Sequence, residues 1–314
     1  MNTLDITNTR VKEAISHLSS FLHGKDEALV KVLACIFSNG HLLLEDLPGL
    51  GKTTLAIAIA RLLGLSFGRV QCTNDLLPTD VTGLNIYKAE KGDFEFHPGP
   101  IFNNLVLVDE VNRATPKTQS ALLEAMGEEQ ATIDGKTYQL PRPFFVVATQ
   151  NPVEHSGTFP LPESQMDRFM IKVSIGYPPR DAEREILRVG SQKDELSKIS
   201  PLFTPDEIVQ TQNFIADHIK VSEPILDYML ALAEKTRAHP SIAAGISTRG
   251  AMSLLSLAKT LAWMQNRDYV LPEDVKALAD DVLLHRLQLR HGSGGAKKEI
   301  LRAIFSEIPT LARV

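Results

Sequence analysis

Residues 41–55 form the stretch that most limits how this chain can fold. They read His-Leu-Leu-Leu-Glu-Asp-Leu-Pro-Gly-Leu-Gly-Lys-Thr-Thr-Leu. The apolar start predicts a buried strand, the Pro and Gly residues predict a turn, and a helix is expected to begin at Lys52. Backbone N–H groups in such a turn and at a helix N-terminus attract an anion, and Lys52 adds a positive charge. The stretch therefore predicts a phosphate-binding loop, in which the Thr53 hydroxyl is available to Mg²⁺.

Asp46 departs from the usual form of this loop. The general pattern G-x-x-x-x-G-K-[ST] has a glycine where this chain has Asp46. Gly49 and Gly51 still allow the backbone to approach a phosphate closely. A carboxylate beside phosphates would repel them, so we expect Asp46 to point away and to hydrogen-bond loop amides, as Asp does in turns.

Strand and helix signals alternate between residues 41 and 174. The predicted strands are 41–45, 67–71, 105–109, 144–149 and 169–174, and the predicted helices between them are 52–63 and 116–128. This alternation predicts an α/β fold with a parallel sheet, whose ligands bind at the carboxyl ends of the strands. Residues 85–96 and 131–140 alternate apolar and polar side chains around turn signals, which predicts two inserted hairpins.

The paired prolines after Tyr177 predict a domain boundary, because they end regular structure. We expect an α/β core over 1–178, which begins with two helices before residue 40, and a helical domain over 179–314. Strand signals stop after the boundary, and helices are expected at 181–190, 205–219, 223–237, 248–265 and 273–290. A short joint at 291–296 precedes a last helix.

Composition narrows the classes of protein that remain. A chain of 314 residues has room for about two domains. No apolar run approaches the ~20 residues of a membrane helix, and the N-terminus lacks the features of a secretory signal. Cys35 and Cys72 have no metal-ligand spacing and are expected to be core residues in a reducing cytoplasm. The net charge of −5 argues against a dedicated nucleic-acid binder.

Two further strands end in polar residues suited to phosphate chemistry. Leu105-Val-Leu-Val leads into Asp109 and Glu110. Asp109 is expected to hold Mg²⁺ through water, and Glu110 is expected to orient and polarise a water that attacks a γ-phosphate. The next strand ends at Thr149-Gln-Asn151, where the Asn151 amide would lie beside that water.

Two arginines are candidate anion contacts outside the loop. Arg168 follows Asp167 at the end of a short helix, where it forms a surface ion pair or reaches a nucleotide on a neighbouring subunit. Arg249 and Gly250 lie in the first turn of a predicted helix that follows Ser247, where a cation and a glycine contradict the dipole and propensity rules. Because local rules are broken most often at functional sites, we expect Arg249, a residue of the second domain, to contact an anion.

In their joint order these motifs resemble the MoxR family of AAA+ ATPases over essentially the whole chain. The stretches that carry the resemblance are Glu45–Ala56, Asp80–Gly83, Gly99–Ala114, Gln119–Met126, Ala148–Pro152 and Leu161–Phe169. The resemblance implies a P-loop AAA+ core with a parallel sheet and two hairpin insertions, followed by a helical lid domain. It also implies that an acid is tolerated at the position of Asp46.

The resemblance also assigns roles to individual residues. It implies Walker A for Lys52 and Thr53, Walker B for Asp109 and Glu110, sensor 1 for Asn151, a trans-acting arginine finger for Arg168 and sensor 2 for Arg249. The nucleotide contacts that it implies are Gly24, Pro48, Gly49, Leu50, Gly51, Lys52, Thr53, Thr54 and Arg249. Thr53 and Asp109 are the implied contacts to Mg²⁺.

We therefore expect a cytoplasmic, ATP-hydrolysing protein that forms a homo-oligomeric ring, a hexamer by the resemblance, and that remodels, assembles or activates a partner protein. The family often acts with a partner that has a von Willebrand A domain, for cofactor or metal insertion. This chain has no D-x-S-x-S segment, so such a domain would belong to another polypeptide. The hairpins would then face a central pore, where Tyr87, Phe94 and Tyr138 touch the client.

Three competing functions are weighed against this one. A nucleic-acid-stimulated motor or loader would show a basic footprint, which the charge of −5 does not favour. A GTPase switch needs a guanine-reading [NT]-K-x-D segment, and the sequence contains none. A non-catalytic binding module does not require the full set of acids and arginines.

Overall fold

The computed structural model describes residues 3–152, 157–190, 193–291 and 294–308. Its α-helices, in chain order, are α1 (Thr3–Ser19), α2 (Asp26–Phe37), α3 (Lys52–Leu62), α4 (Pro78–Thr82), α5 (Pro116–Glu128), α6 (Glu163–Met166), α7 (Arg180–Val189), α8 (Lys193–Ser197), α9 (Pro205–His218), α10 (Glu223–Ala238), α11 (Thr248–Met264), α12 (Pro272–Leu283) and α13 (Gly294–Glu307). The strands are β1 (His41–Glu45), β2 (Phe67–Gln71), β3 (Gly83–Lys88), β4 (Asp93–Pro98), β5 (Leu105–Asp109), β6 (Gln130–Ile133), β7 (Lys136–Gln139), β8 (Phe145–Gln150), β9 (Phe169–Val173), β10 (Ile242–Ala244) and β11 (Gln288–Leu289).

The predicted parallel sheet is confirmed, and its strand order is β2-β5-β8-β1-β9. All four neighbouring pairs run parallel, and Leu42, Leu43 and Leu44 of β1 are completely or almost completely buried between β8 and β9. Strands β2, β5 and β8 lie on one side of β1 and β9 lies on the other. The loop after β1 is therefore at the point where the strand order reverses, where open α/β sheets bind their ligands.

An apolar cluster covers each face of the sheet. On one face, α4 and α5 pack over side chains such as Leu43, Val106 and Val146. On the other, side chains such as Leu42 and Leu107 share one cluster with α1–α3 and the C-terminal helices. Because α2 contacts both α9 and α11, the apolar core is continuous across residue 178, and the division of the chain there stays a prediction.

Both predicted hairpins are confirmed. β3 pairs antiparallel with β4, and β6 pairs antiparallel with β7 across Asp134 and Gly135, which both have positive φ as a tight hairpin turn requires. The hairpins also contact each other, because the Asn85 amide donates to Asp134 at 2.8 Å and Tyr138 stacks on Phe96 at 4.1 Å.

Two predictions for the C-terminal region are wrong. The helix predicted over 273–290 ends at Leu283, and β11 pairs antiparallel with β10, although no strand was expected here. Tertiary contacts override the helical propensity of this stretch, because the buried side chain of Arg286 turns back to bond Asp167 and the carbonyls of β9. The predicted joint at 291–296 lies partly outside the described residues, and the last helix begins at Gly294.

Candidate functional site

The turn between β1 and α3 has the backbone of an anion-binding loop. Gly49 and Gly51 have φ values of 85° and 82°, which L side chains adopt only with strain. Gly51 is the N-cap residue of α3 and has no side chain with which to cap it. The first N–H groups of α3 therefore lack a side-chain acceptor and, with the helix dipole, favour an anion.

Lys52 lies in the first turn of α3 and points back along the loop. Its Nζ donates to the backbone carbonyl of Asp46 at 2.7 Å. Burial lowers the pKa of the Lys52 ammonium, and the charges of Asp46, Asp109 and Glu110 oppose that shift. The ammonium is thus partly desolvated, which strengthens its attraction to an incoming anion.

A cavity of about 380 Å³ opens beside this loop. Its wall brings together most of the residues that the sequence motifs pointed to. They are Pro48, Gly49, Gly51, Lys52, Thr53, Thr54, Asp109, Glu110 and Asn151, together with Arg69, Gln71 and Thr149. The loop after β1, the start of α3 and the carboxyl ends of β2, β5 and β8 supply these residues.

The two acids at the end of β5 are held in fixed positions. Thr149 Oγ1 donates to Asp109 Oδ1 at 3.3 Å and accepts from the Glu110 backbone N–H at 2.9 Å. Glu110 has a φ of 56°, a conformation that is uncommon for a residue with a side chain and that persists only where the surrounding structure fixes it. The neighbouring strand thus holds the Asp109 carboxylate and the Glu110 backbone, and both carboxylates line one cavity.

Sequence reasoning missed two arginines in this site. Arg69 on β2 donates through Nε to Asp109 Oδ2 at 2.9 Å, with Nη2 at 2.8 Å from the same oxygen. Arg113 donates through Nη1 to Glu110 Oε2 at 3.1 Å. The alternation of β2, in which Arg69 and Gln71 are exposed between buried neighbours, was the available signal, but it does not identify the acid that an arginine faces.

A second cavity of about 480 Å³ continues from the loop on its other side. It shares Pro48, Gly49, Gly51 and Thr54 with the first cavity and adds Leu50. Its remaining wall includes His23 and Lys25 on one side and Ile175, Gly176 and Tyr177 on the other.

Two features of that second cavity concern polar recognition and the placement of Gly24. Among the described residues, buried His23 Nε2 has no hydrogen-bond partner, whereas Lys25 Nζ donates to the carbonyl of Tyr177 at 2.5 Å. Gly24 itself is not in the wall, because it packs against Pro179, where an added Cβ would lie 2.9 Å from the ring.

Arg168 and Arg249 lie at the opposite end of the sheet. Arg168 directly precedes Phe169, which pairs with His41 where β9 and β1 begin, whereas the phosphate loop follows the end of β1. Four residue steps of strand separate these two ends by about 13 Å. The structure therefore does not bring Arg168 to the phosphate cavity of its own chain.

Contacts around Asp167 hold these two arginines near each other. Arg168 Nη1 donates to the carbonyl of Leu123 at 2.8 Å. Ser247, the N-cap residue of α11, donates to Asp167 Oδ2 at 3.4 Å, and Arg249 lies exposed in the following turn. Burial lowers the pKa of His41 to about 4, and the charges of Arg249 and Arg168 both add to that shift.

Comparisons with known proteins agree with this architecture. The family model described as "ATPase family associated with various cellular activities (AAA)" matches residues 41–171, and the AAA lid domain model matches residues 234–304. The solved crystal structure of an ATPase candidate from Cytophaga hutchinsonii superposes with a TM-score of 0.89 at 38% identity, covering 97% of this chain and 96% of that one. Fold and site thus define a AAA+ ATPase with a helical lid.

Relatives with curated names narrow this class to one family. Chaperone MoxR1 of Mycobacterium tuberculosis is 38% identical over 90% of this chain and 76% of its own length. Protein MoxR of Methylorubrum extorquens is 31% identical over 91% of each chain, and the uncharacterized protein YeaC of Bacillus subtilis is 42% identical over 94% of this chain and 93% of its own. The chain belongs to the MoxR family of AAA+ ATPases.

Three observations concern classes of site other than the nucleotide site. In the described part of the chain, no helix has both the length and the apolarity needed to cross a bilayer. The same residues contain no group of three or more His, Cys, Asp or Glu side chains arranged to hold a metal ion. Cys35 and Cys72 are buried and free, as expected for core residues, and burial raises the pKa of the Cys72 thiol to about 12.

Proposed function

We propose that this chain hydrolyses ATP at the interface between subunits of a homo-oligomeric ring, a hexamer, and uses the energy to remodel a client protein. The observation that carries the proposal is the separation of the charged residues along the sheet. The phosphate loop and both acids lie at the carboxyl ends of the strands, and Arg168 and Arg249 lie at the amino ends. A subunit so built completes a site only with a neighbour.

Residues of one subunit bind and orient the substrate. The N–H groups of the loop and Lys52 hold the phosphates, and the cavity lined by His23 takes the base. Glu110 orients the attacking water and accepts its proton, and Asn151 positions that water against the γ-phosphate. In the structure, Arg113 donates to the Glu110 carboxylate, so this ion pair must break before Glu110 can act on the water.

The acids and hydroxyls in the wall fit a magnesium ion. Mg²⁺ usually keeps several waters and takes one or two carboxylates plus substrate phosphate oxygens, so a dedicated cluster of acids is not needed. Asp109 and Thr53 would hold the ion, Asp109 through water. When bound, Mg²⁺ neutralises the charge that develops on the phosphates.

The neighbouring subunit supplies the two arginines. A guanidinium is always charged and can bind phosphate oxygens in a bidentate fork, which stabilises the transition state of phosphoryl transfer. Arg168 is half-buried and Arg249 is exposed, so both are near the surface that a neighbour would contact. The proposal therefore makes Arg249 a trans contact as well, rather than a sensor for its own nucleotide.

The hairpins support the assignment of a client. Tyr87 and Phe94 are 56% and 65% exposed, and their ring centroids are 5.3 Å apart. Together they form an exposed apolar patch of the kind that marks protein contacts. Lys91 pairs with Glu95 on the same hairpin, so the hairpin is not a basic surface for nucleic acid. A client that carries a von Willebrand A domain and receives a metal or cofactor, in the cytoplasm, is the specific form that we propose.

The first experiment separates binding from turnover. Lys52→Ala should lose ATP binding because the loop loses its cation, whereas Glu110→Gln should bind ATP normally and lose hydrolysis. Arg188→Ala, which changes an exposed arginine paired with Glu185 on α7, is the matched control and should keep full activity. Undiminished hydrolysis by Glu110→Gln would refute the catalytic assignment.

The second experiment tests the shared site. Arg168→Ala subunits retain the loop and its acids but lack the arginine. Glu110→Gln subunits retain the arginine but lack the catalytic carboxylate. A ring made of either variant alone should therefore be inactive. In a ring assembled at random from equal amounts of the two variants, about a quarter of the head-to-tail interfaces join the two intact halves and should hydrolyse ATP. Co-assembled mixtures with no recovery at any ratio would contradict the trans assignment.

The third experiment tests the client patch. Glu110→Gln rings purified with ATP should retain a client protein, identified by mass spectrometry. Adding Tyr87→Ser and Phe94→Ser should release it, whereas Tyr269→Ser, which removes a comparably exposed ring from the lid, should not. Retention of the same protein by the double Ser variant would exclude the hairpin as its binding surface. Retention of nucleic acid instead would favour the competing motor function.

A further inference from the structure

Asp46, the acid in place of the first loop glycine, faces away from the phosphate cavity. Its carboxylate is buried and accepts three hydrogen bonds, from Ser174 Oγ at 2.7 Å, the Ile175 N–H at 2.6 Å and the Gly176 N–H at 2.9 Å. The expected direction of the side chain is confirmed, but the expected partners are wrong. The two amides belong to the segment after β9 rather than to the loop itself.

That segment forms one wall of the larger cavity. Ile175, Gly176 and Tyr177 line it, and Lys25 from the opposite wall donates to the Tyr177 carbonyl. Asp46 is continuous with the loop that lines both cavities, and its own carbonyl accepts from Lys52. One residue thus joins the phosphate-binding loop to the wall where the base would lie.

We propose that Asp46 is a positioning residue, which fixes the base-side wall relative to the phosphate loop and so promotes binding of the nucleoside part of the substrate. This inference rests on the proposed nucleotide-binding function. The chemistry requires a carboxylate, because only an acceptor without donors can take three N–H and O–H groups at once. An asparagine would turn its own N–H₂ toward these donors, and a glycine would leave them without an acceptor.

Separating phosphate binding from nucleoside binding tests this role. The full chain is titrated calorimetrically with ATP, ADP and inorganic tripolyphosphate, for wild type, Asp46→Gly and Asp46→Asn. Loss of one hydrogen bond to a charged group corresponds to a factor of about ten or more in affinity, so ATP and ADP should bind at least about tenfold more weakly to both variants. Tripolyphosphate should bind within about twofold of wild type, because the loop and Lys52 are unchanged.

Ser174→Ala provides a second variant that leaves the loop sequence intact. It removes one donor to Asp46 and should weaken ATP binding by a smaller factor, again without weakening tripolyphosphate. Asp93→Asn, an exposed hairpin acid, is the control and should change neither affinity. Circular dichroism of each variant detects a general defect of folding, which would also lower both affinities together.

The outcomes distinguish the proposal from its premise. Parallel losses of ATP and tripolyphosphate in the Asp46 variants and in Ser174→Ala would show that Asp46 supports the loop itself, which overturns the proposal. Unchanged ATP affinity in these variants would overturn it as well. Failure of the wild-type chain to bind ATP would instead refute the proposed function.

Discussion

Removing Arg286 should destabilise the protein by about 3 kcal/mol. Its side chain is 2% exposed and closes the space between the end of α12 and the start of β9. Nε donates to Asp167 Oδ1 at 2.7 Å, Nη2 to the Phe169 carbonyl at 2.7 Å and Nη1 to the Met170 carbonyl at 3.1 Å. Gly250 completes the site, because a Cβ there would lie 2.9 Å from Arg286 Cδ.

The size of the effect follows from the groups that Arg286→Ala leaves behind. Breaking a buried ion pair costs about 3–5 kcal/mol, because the remaining charge loses its partner. Asp167 is 26% exposed and can regain some water, which places the cost near the lower limit. At about 2.1 cal/mol/K per residue, a cooperative transition of this chain would lose about 5 °C in Tm. The free energy of unfolding of Arg286→Lys should lie between those of wild type and Arg286→Ala, since a lysine keeps the charge without the planar fork.

Urea denaturation followed by circular dichroism measures this difference directly. Arg290→Ala is the matched control, because Arg290 is exposed four residues further on and its substitution should stay within about 0.5 kcal/mol. A loss below about 1 kcal/mol for Arg286→Ala, or one equal to that of Arg290→Ala, would refute the idea that this arginine docks the C-terminal helices on the sheet.

Further changes test the titration, the capping and the metal contact. Burial lowers the pKa of His41 to about 4 in the folded state, whereas the unfolded state protonates near 6.5. The contribution of His41 to the free energy of unfolding is therefore complete above pH 6.5. As the pH falls from 6.5 to 4, that contribution decreases by up to about 1.4 kcal/mol per pH unit. His41→Gln should flatten that part of the pH dependence of unfolding. Thr204→Ala should cost about 1 kcal/mol in urea denaturation, because it removes the N-cap acceptor of the Glu207 N–H. Arg69→Gln should lower the Mg²⁺ concentration for half-maximal ATPase by about threefold to fivefold, because it removes the cation that pairs with Asp109.

Local patterns were sufficient to predict the sheet, the loop and the hairpins. The apolar run that leads into Asp109 and the Asp134-Gly135 turn could each be predicted from neighbouring residues alone. The periodicity of apolar residues and the residue preferences of turns both act over a few residues. Contacts between distant segments could not be predicted in this way. Nothing in the sequence near Arg69 identifies Asp109 as its partner, and nothing near Asp46 indicates Ser174.

The stretch around Arg249 shows why an irregular sequence is ambiguous. A glycine in the first turn of α11 contradicts helical propensity, and the sequence alone suggested a functional reason for it. The structure provides a packing reason, because Arg286 occupies the space beside Gly250, and Ser247 caps the helix by accepting from the Gly250 N–H at 3.0 Å. Arg249 has no such packing explanation, since it is exposed, and it remains the better candidate for an anion contact.

Asp167 connects the two proposed trans arginines mechanically. It directly precedes Arg168, pairs with Arg286 from the end of α12 and accepts from Ser247 at the start of α11. Arg168 and Arg249 are therefore attached to one ion-paired unit, and a phosphate that attracts either arginine pulls on the same contact between sheet and lid. Arg168 also donates to the Leu123 carbonyl of α5, and the end of α5 leads into the β6–β7 hairpin. In the proposed ring, ATP bound to one subunit would therefore act on a contact of its neighbour that leads toward the β6–β7 hairpin.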